Sequence, residues 1–374
     1  MNPYDFARID WSRPPERRKP TWHHQLVGQG AQRLYSGHME VDVYVETPMF
    51  IADPRSVSSD PKKPAQSMQN KQGEFIIPGS SLKGMLRNVV ETLGNGCLTL
   101  FDGDYERGRV NYRRIVPASF QHCEHTTELC IACRTFGMLK ERTSGVFLGK
   151  VNIGDAAAYA DKVYKYNAMH TAVLVEPKPR HEAFYLDEKR QHIAGRKFYF
   201  HHSPDVEPLS VPGPVYFGNK LANRFIQPLD YNTQFHFRMD FSGLEADELG
   251  ALMLAVALEK DMRHKIGYGK PLGLGSVYLF PTHLTLVDYA ARYTNPGGQR
   301  GLTALSGDDV WPVLNERIDE FEQKYMVSIA MDDLRRIWRW PPDPDVDYYY
   351  PSKRDWFDTE ASKGKRIRDT RNVP

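Results

Sequence analysis

The chain has 374 residues, of which 41% are apolar and 26% charged, with a formal net charge of +2. That length allows a sizeable core or two to three domains, and the composition excludes wholesale disorder. So nearly neutral a chain has no overall field to draw in a polyanion, and any nucleic-acid site must come from local clusters of Lys and Arg.

Residues 1–36 mix Pro, Arg and aromatics without periodicity and read as an irregular N-terminal arm. They hold no apolar stretch of signal-peptide length, and the longest apolar run, Leu249 to Leu258, is too short to span a bilayer. The expectation is a cytoplasmic protein without a membrane partner. In that reducing setting the four cysteines suit a metal site better than disulfides.

"HMEVDVYVETPMFI" alternates, with Val41, Val43 and Val45 on one face and Glu40, Asp42 and Tyr44 on the other, which predicts a half-buried strand. A polar loop, Ala52 to Gly73, follows, and loops of that length are usually functional or mobile. Phe75 to Ile77 reads as a short strand and Ser81 to Leu93 as a helix, because Leu82, Met85, Leu86, Val89, Val90 and Leu93 keep the spacing of one buried face. Gly94 and Gly96 end it. A cysteine-bearing segment (97–137) precedes "GVFLGKVNIGDAAA", a second major strand, and residues 162–232 read as an insertion of hairpins.

Phe235, Phe237, Met239 and Phe241 alternate in a third strand, which switches to a buried helix after Ser242, with Glu245 three residues on completing a capping-box pattern. "RHKIGYGKPLGLGSVYLF" then runs a glycine-rich loop into a last strand. Strand, helix, strand, followed by strand, helix, strand, is a ferredoxin-like α+β pattern stretched by insertions, and it occupies residues 37–285. Val310, Leu314, Ile318, Phe321 and Tyr325 mark an amphipathic helix in a C-terminal helical extension (286–345), with a second helix to about Trp340. Residues 346–374 form a basic tail that ends "PSKRDWFDTEASKGKRIRDTRNVP".

Two short stretches carry chemistry. In "FIIPGSSLKGMLR", Ser80 or Ser81 is a natural N-cap, and a capped helix start still presents unpaired N–H groups and the positive end of the helix dipole. Gly79 admits a ligand to the backbone, while Lys83 and Arg87 share one side of the helix, so the junction suits a phosphate. In "KIGYGKPLGLGSV", Lys265, Tyr268 and Lys270 stand between glycines, which suits close backbone approach with cations and a stacking ring. Capped helices with solvated Lys and Arg, and glycine-rich hairpins, are also common without any ligand.

The cysteines Cys123, Cys130 and Cys133 follow a C-x6-C-x2-C spacing that can bring thiolates to one tetrahedral ion. Structural zinc is the expected metal. His125 is the first choice for fourth ligand, with Cys97 and His122 as alternatives, and buried free thiols are the plain alternative to any metal.

"FIIPGSSLKGMLR" resembles the signature of the RAMP superfamily of CRISPR proteins, and "GYGKPLGLGSV" is similar to that family's C-terminal glycine-rich loop. The strand and helix "FHFRMDFSGLEADELGALMLAVAL" stand where the family expects them, and "LCIACRTFG" is similar to a cysteine pair in backbone subunits of type III effectors. The resemblance runs from about Val41 to Phe280. It implies a modified ferredoxin-like, RRM-related RAMP fold that binds CRISPR guide RNA, pairs it with complementary target RNA, and assembles with other RAMP subunits. On that resemblance Gly79, Ser80, Ser81, Lys83 and Arg87 would sit on the guide backbone, with Lys265, Tyr268 and Lys270 nearby.

Backbone subunits of this kind cut target RNA with a loop aspartate, which here implies Asp60, ahead of Asp53, with Mg²⁺ as a candidate cofactor. Both residues precede Pro, and Asp-Pro pairs also simply start turns. A stand-alone guide-processing ribonuclease would need an acid and base such as His170 or His181, and a filament-capping subunit would bind without cutting.

Overall fold

The computed structural model describes residues 2–21, 34–56, 60, 62–99, 115–139, 145–174, 185–187, 189, 191–294 and 301–350. In chain order the central elements are β1 (Tyr35–Val45), α1 (Gly79–Leu93), β2 (Val151–Ile153), β3 (Ala156–Ala158), β4 (Gln234–Leu244), α2 (Ala246–Ala257) and β5 (Ser276–Val287). The predicted second strand, residues 145–158, is split in three: Val146–Leu148 pairs with Gly137–Leu139 in a separate two-stranded sheet, and the chain breaks again at Gly154–Asp155 between β2 and β3.

Alternation drives the sheet. Met39, Val41, Val43 and Val45 of β1 and Phe235, Phe237, Met239 and Phe241 of β4 are buried, as are Val277, Leu279 and Leu284 of β5. With side chains on a period of two, this register puts these buried apolar groups on one face. The strands pair antiparallel in the order β5, β1, β4, then β2 and β3. Counting β2 and β3 as one strand, the spatial order is fourth, first, third, second, with α1 and α2 as the two crossovers: the ferredoxin-like arrangement. On the opposite face, Asp42 accepts hydrogen bonds from His236 Nδ1 at 3.0 Å and from the Tyr159 hydroxyl at 2.9 Å.

α1 buries the stripe that its spacing predicts, Leu82, Met85, Leu86, Val89, Val90 and Leu93, and begins at Gly79, two residues ahead of expectation. α2 starts later than predicted. Gly243 and Leu244 extend the strand, Leu244 pairing with Tyr35, so the N-cap is Glu245 and the capping box is Glu245 with Glu248 rather than Ser242 with Glu245. α2 is apolar nearly all round because it is covered on two sides, by the sheet and by α3 (Val310–Lys324). At Gly250 the two helices come so close that an added Cβ would lie 2.5 Å from the Arg317 carbonyl oxygen. The C-terminal helices are thus part of the core; α4 (Ser328–Ile337) follows α3, and its leading Val327 donates its N–H to Leu93 O at 2.8 Å.

Two expectations of irregularity are corrected. Within the N-terminal arm, Tyr4–Ala7 is a strand paired antiparallel with Arg196–Tyr199, and Arg8 reaches Asp333 of α4 at 2.7 Å. The predicted loop from Ala52 to Gly73 is pinned where Ala65–Gln66 pairs in parallel with Phe225–Gln227, a strand of the insertion. Phe50, Ala65, Met169, Ile226 and Leu274 form a second, smaller core there, joining that loop, the insertion and the glycine-rich loop. Most of the basic tail, residues 351–374, lies outside the described residues. Among the described residues no helix is long and apolar enough to cross a membrane.

Candidate metal centre and nucleic-acid interface

The chain leaves α1 through Gly94, Asn95 and Gly96, a turn in which the Gly96 N–H returns to Glu91 O at 2.7 Å, and this places Cys97 under the helix end. Cys123 arrives from the segment that follows. Cys130 is the N-cap of the short helix Ile131–Phe136, and Cys133 stands one turn into it. All four side chains are buried, and their sulfurs lie within 4.8 Å of one another. Cys97 and Cys133 Sγ are 3.7 Å apart. Metal–sulfur bonds of about 2.3 Å in tetrahedral geometry give an edge of about 3.8 Å, so the spacing is that of ligands around one ion. No disulfide links any pair.

Backbone N–H groups already point at this sulfur cluster: Cys97 N donates to Cys130 Sγ at 3.5 Å, and Cys130 N to Cys123 Sγ at 3.3 Å. Hydrogen bonding from Cys123, then from the other thiols, holds Cys130 well below the usual thiol range. Four buried sulfur donors that leave no side open to substrate suit a closed, structural ion such as zinc. The fourth position belongs to Cys97. His125, the first choice from sequence, is exposed, and His122 is half-buried; neither joins the group, because the turn after α1 delivers a thiol to that place.

The centre is tied to both helices. Arg134, next to Cys133 and 1% exposed, points away from the sulfurs toward the start of α2, where it meets Glu245 and Glu248 at 3.2 Å and Asp247 at 2.8 Å. Lys150 bridges Glu248 at 2.7 Å, and Arg18 also reaches Asp247 and Glu245. Buried charges persist only when so paired. On the α1 side, Arg87 Nε donates to Glu91 Oε1 at 2.7 Å, Nη1 to Gly137 O at 2.9 Å and Nη2 to Cys133 Sγ at 3.6 Å. Arg196 donates to Glu91 Oε2 at 3.0 Å and to the carbonyls of Gly96 and Cys97 at 2.8 Å each.

The junction at the start of α1 differs from its expected form. Neither Ser80 nor Ser81 caps the helix; the cap position is Pro78. The Gly79 N–H is taken by Asp155 Oδ1 at 2.8 Å, and those of Ser81 and Leu82 return to Pro78 O. A carboxylate therefore already sits at the positive end of the dipole. Gly79 serves packing rather than ligand approach, since a Cβ there would lie 2.2 Å from Ile153 O. Ser80 is exposed and Ser81 half-buried, while Lys83, also half-buried, donates Nζ to Val151 O at 3.1 Å. Burial and the neighbouring Arg87 lower the Lys83 pKa. Arg87 faces the cysteines, which takes it off the expected phosphate contact.

In the glycine-rich loop, Lys265 is buried, donates to Ser276 Oγ at 3.3 Å, and is pushed down to about 7 by burial. Lys270 turns back to Gly267 O at 2.8 Å. Its glycines allow close internal packing: Gly275, at φ +82°, would place a Cβ 1.9 Å from Ile266 O. Tyr268, half-buried like Lys270, has its ring against Phe50 and under the Arg224 guanidinium at 5.1 Å. The loop and the α1 start are nonetheless neighbours through two intervening segments. Tyr268 N–H bonds Phe50 O at 2.8 Å, Met68 N–H bonds Ile51 O at 2.8 Å, and Ile76 N–H bonds Met68 O at 2.9 Å.

Of the two loop aspartates, Asp53 is buried and clamped by Arg55, whose Nε and Nη2 donate at 2.9 and 2.7 Å and hold its carboxyl below the usual range. Asp60 is half-buried and accepts the Lys62 N–H at 2.9 Å; residues 57–59 and 61 beside it lie outside the described residues. Both are turn formers. His170 stacks on Phe225 at 4.3 Å within the insertion sheet, and His181 lies outside the described residues. Sequence reasoning passed over Asp155, Glu91 and Arg196. No role was assigned to them in the sequence, although the Gly94-Asn95-Gly96 turn was a signal for the position of Cys97.

A family model described as the RAMP superfamily matches residues 42–278, a span that takes in the end of β1, the α1 junction, the cysteine centre and the glycine-rich loop. The search of curated proteins returned no match.

Proposed function

The chain belongs to the RAMP superfamily, whose CRISPR-associated members bind RNA, and from that premise we propose that it is a guide-RNA-binding backbone subunit of a type III-like ribonucleoprotein effector. The observation that carries the reading is the family match itself, which spans both the α1 junction and the glycine-rich loop that adjoins it through residues 50–51 and 68.

In this reading the guide backbone runs past the α1 start and the glycine-rich loop. Ser80, Ser81 and Lys83 contact phosphates, and Tyr268 beside Arg224 offers a ring and a cation. Lys265 and Lys270 brace the loop from within, and Arg87 braces the helix. Phosphate contacts of this kind are blind to sequence. Zinc on Cys97, Cys123, Cys130 and Cys133 holds the segment between α1 and β2 in place and takes no part in chemistry. Complementary target RNA pairs with the guide along a row of similar subunits, and Asp60 is the residue offered for target cleavage with Mg²⁺.

Co-expression with a CRISPR array tests this. The reading expects co-purifying RNA of uniform length, and target RNA cut at regular spacing on addition of Mg²⁺, with cutting lost in Asp60→Ala while the bound RNA remains. Bound RNA without any cutting in the wild-type protein would make it a filament cap. Metal-independent cleavage of repeat RNA would make it a guide-processing ribonuclease, and absence of bound RNA would sink all three.

A further inference from the structure

Arg87 stands on the face of α1 that a sequence reader assigns to RNA, yet each of its donor nitrogens has a partner inside the protein. Nε meets Glu91, Nη1 the Gly137 carbonyl, and Nη2 the sulfur of Cys133. Glu91 is in turn shared with Arg196, which also holds the carbonyl of Cys97. A chain of contacts therefore runs from one cysteine of the centre, through α1, to another. The cation nearest in sequence, Arg134, is drawn off to the acidic start of α2 and leaves this place to Arg87.

Electrostatics gives the arrangement a purpose. A divalent ion neutralises only half the charge of four thiolates, and a buried surplus of negative charge is costly unless hydrogen-bond donors or cations face it. Two backbone N–H groups face the sulfurs, at 3.5 and 3.3 Å, and Arg87 adds the full positive charge. A guanidinium with several N–H groups in one plane can reach sulfur, carbonyl and carboxylate together, which an ammonium cannot.

We propose that Arg87 is the charge-compensating partner of a four-thiolate metal site, oriented by Glu91 and Arg196, and is not an RNA contact. The inference rests on the reading of the cysteines as metal ligands. Partners in this outer position hold metal affinity to within one or two orders of magnitude.

The test compares full-length wild-type protein with Arg87→Met, Arg87→Lys and Glu91→Gln. Zinc per chain is measured on each, and zinc release is followed with 4-(2-pyridylazo)resorcinol. The expected result is bound zinc in the wild type, release about 10- to 100-fold faster in Arg87→Met, and intermediate rates in Arg87→Lys and Glu91→Gln. In cobalt-substituted protein the sulfur-to-metal charge-transfer band should move to lower energy in Arg87→Met, because the sulfur loses a facing cation; a merely structural role would leave the band in place. If Arg87→Met does not fold, Arg87→Lys and Glu91→Gln carry the same comparison. The salt dependence of RNA binding should be unchanged in Arg87→Met, which removes the charge that a phosphate contact would need. Wild-type protein without zinc would overturn the metal reading and this inference together. Normal release and an unshifted band in Arg87→Met, with its salt slope of RNA binding reduced by about one phosphate contact, would overturn the inference alone and return Arg87 to the RNA.

Discussion

The cysteine centre and the glycine-rich loop both look like ligand sites in the sequence, and folding treats them oppositely. At the centre, side chains from three separate segments turn inward and meet: Cys97 after α1, Cys123, then Cys130 and Cys133 on a short helix. At the loop, residues only a few positions apart are dispersed. Lys265 goes into the core, Lys270 folds onto its own backbone, and Tyr268 keeps a partly open side. The difference lies in what satisfies each group. A lysine needs only an oxygen acceptor, and one is at hand for each: the Ser276 hydroxyl for Lys265 and the Gly267 carbonyl for Lys270. Among the described residues, four thiols from distant segments receive only two backbone N–H groups, and they lie close enough together to hold a metal ion.

Removing a ligand should break this contrast most sharply. Cys97→Ser should lose its metal and be destabilised by about 3 kcal/mol or more, whereas His125→Ala should keep both metal and stability. Metal analysis with chemical denaturation checks this, and equal effects of the two changes would return His125 to the ligand set. Next comes the loop, where close packing replaces a ligand. Gly275→Ala forces a Cβ against Ile266 O in a left-handed backbone conformation and should cost roughly 2–4 kcal/mol in the same denaturation experiment. A change within 0.5 kcal/mol, about the scatter of ordinary surface substitutions, would mean that the loop is open rather than packed.

The smallest effect concerns pH. The Lys265 pKa falls to about 7 in the folded protein, while the unfolded chain keeps it near an ordinary value of about 10.4. Between those values the unfolded chain binds the extra proton, so the burial penalty is full below pH 7 and is relieved as pH rises. Lys265→Met should therefore flatten the gain in stability between pH 7 and 9, read as denaturation midpoints at the two pH values. Lys197, lowered to about 8 by its own burial, contributes to the same window, so the slope should shrink rather than vanish. An unchanged slope would place Lys265 at the surface, where a phosphate contact becomes tenable again.

Much of the fold could be read from periodicity. Val41, Val43 and Val45, the phenylalanines of β4 and the apolar stripe of α1 all occupy the buried faces that their spacing predicts. Boundaries were harder, because they depend on distant pairing: Leu244 stays in the strand since Tyr35 lies opposite, and the capping box moves to Glu245 and Glu248. The N-terminal arm looked structureless because Tyr4–Ala7 is a strand only in partnership with Arg196–Tyr199.

By itself, the sequence determined the order of strands and helices, the family signature and three of the four clustered cysteines. Tertiary structure alone decided which polar group meets which: Asp155 at the start of α1, Cys97 in place of His125, and Arg87 turned to sulfur rather than to solvent. The reason is one of range. Apolar periodicity is written into neighbouring residues, since burying a face needs only the right spacing along the chain. A buried donor or charge needs one partner at a definite place, and topology brings that partner from any distance in the chain.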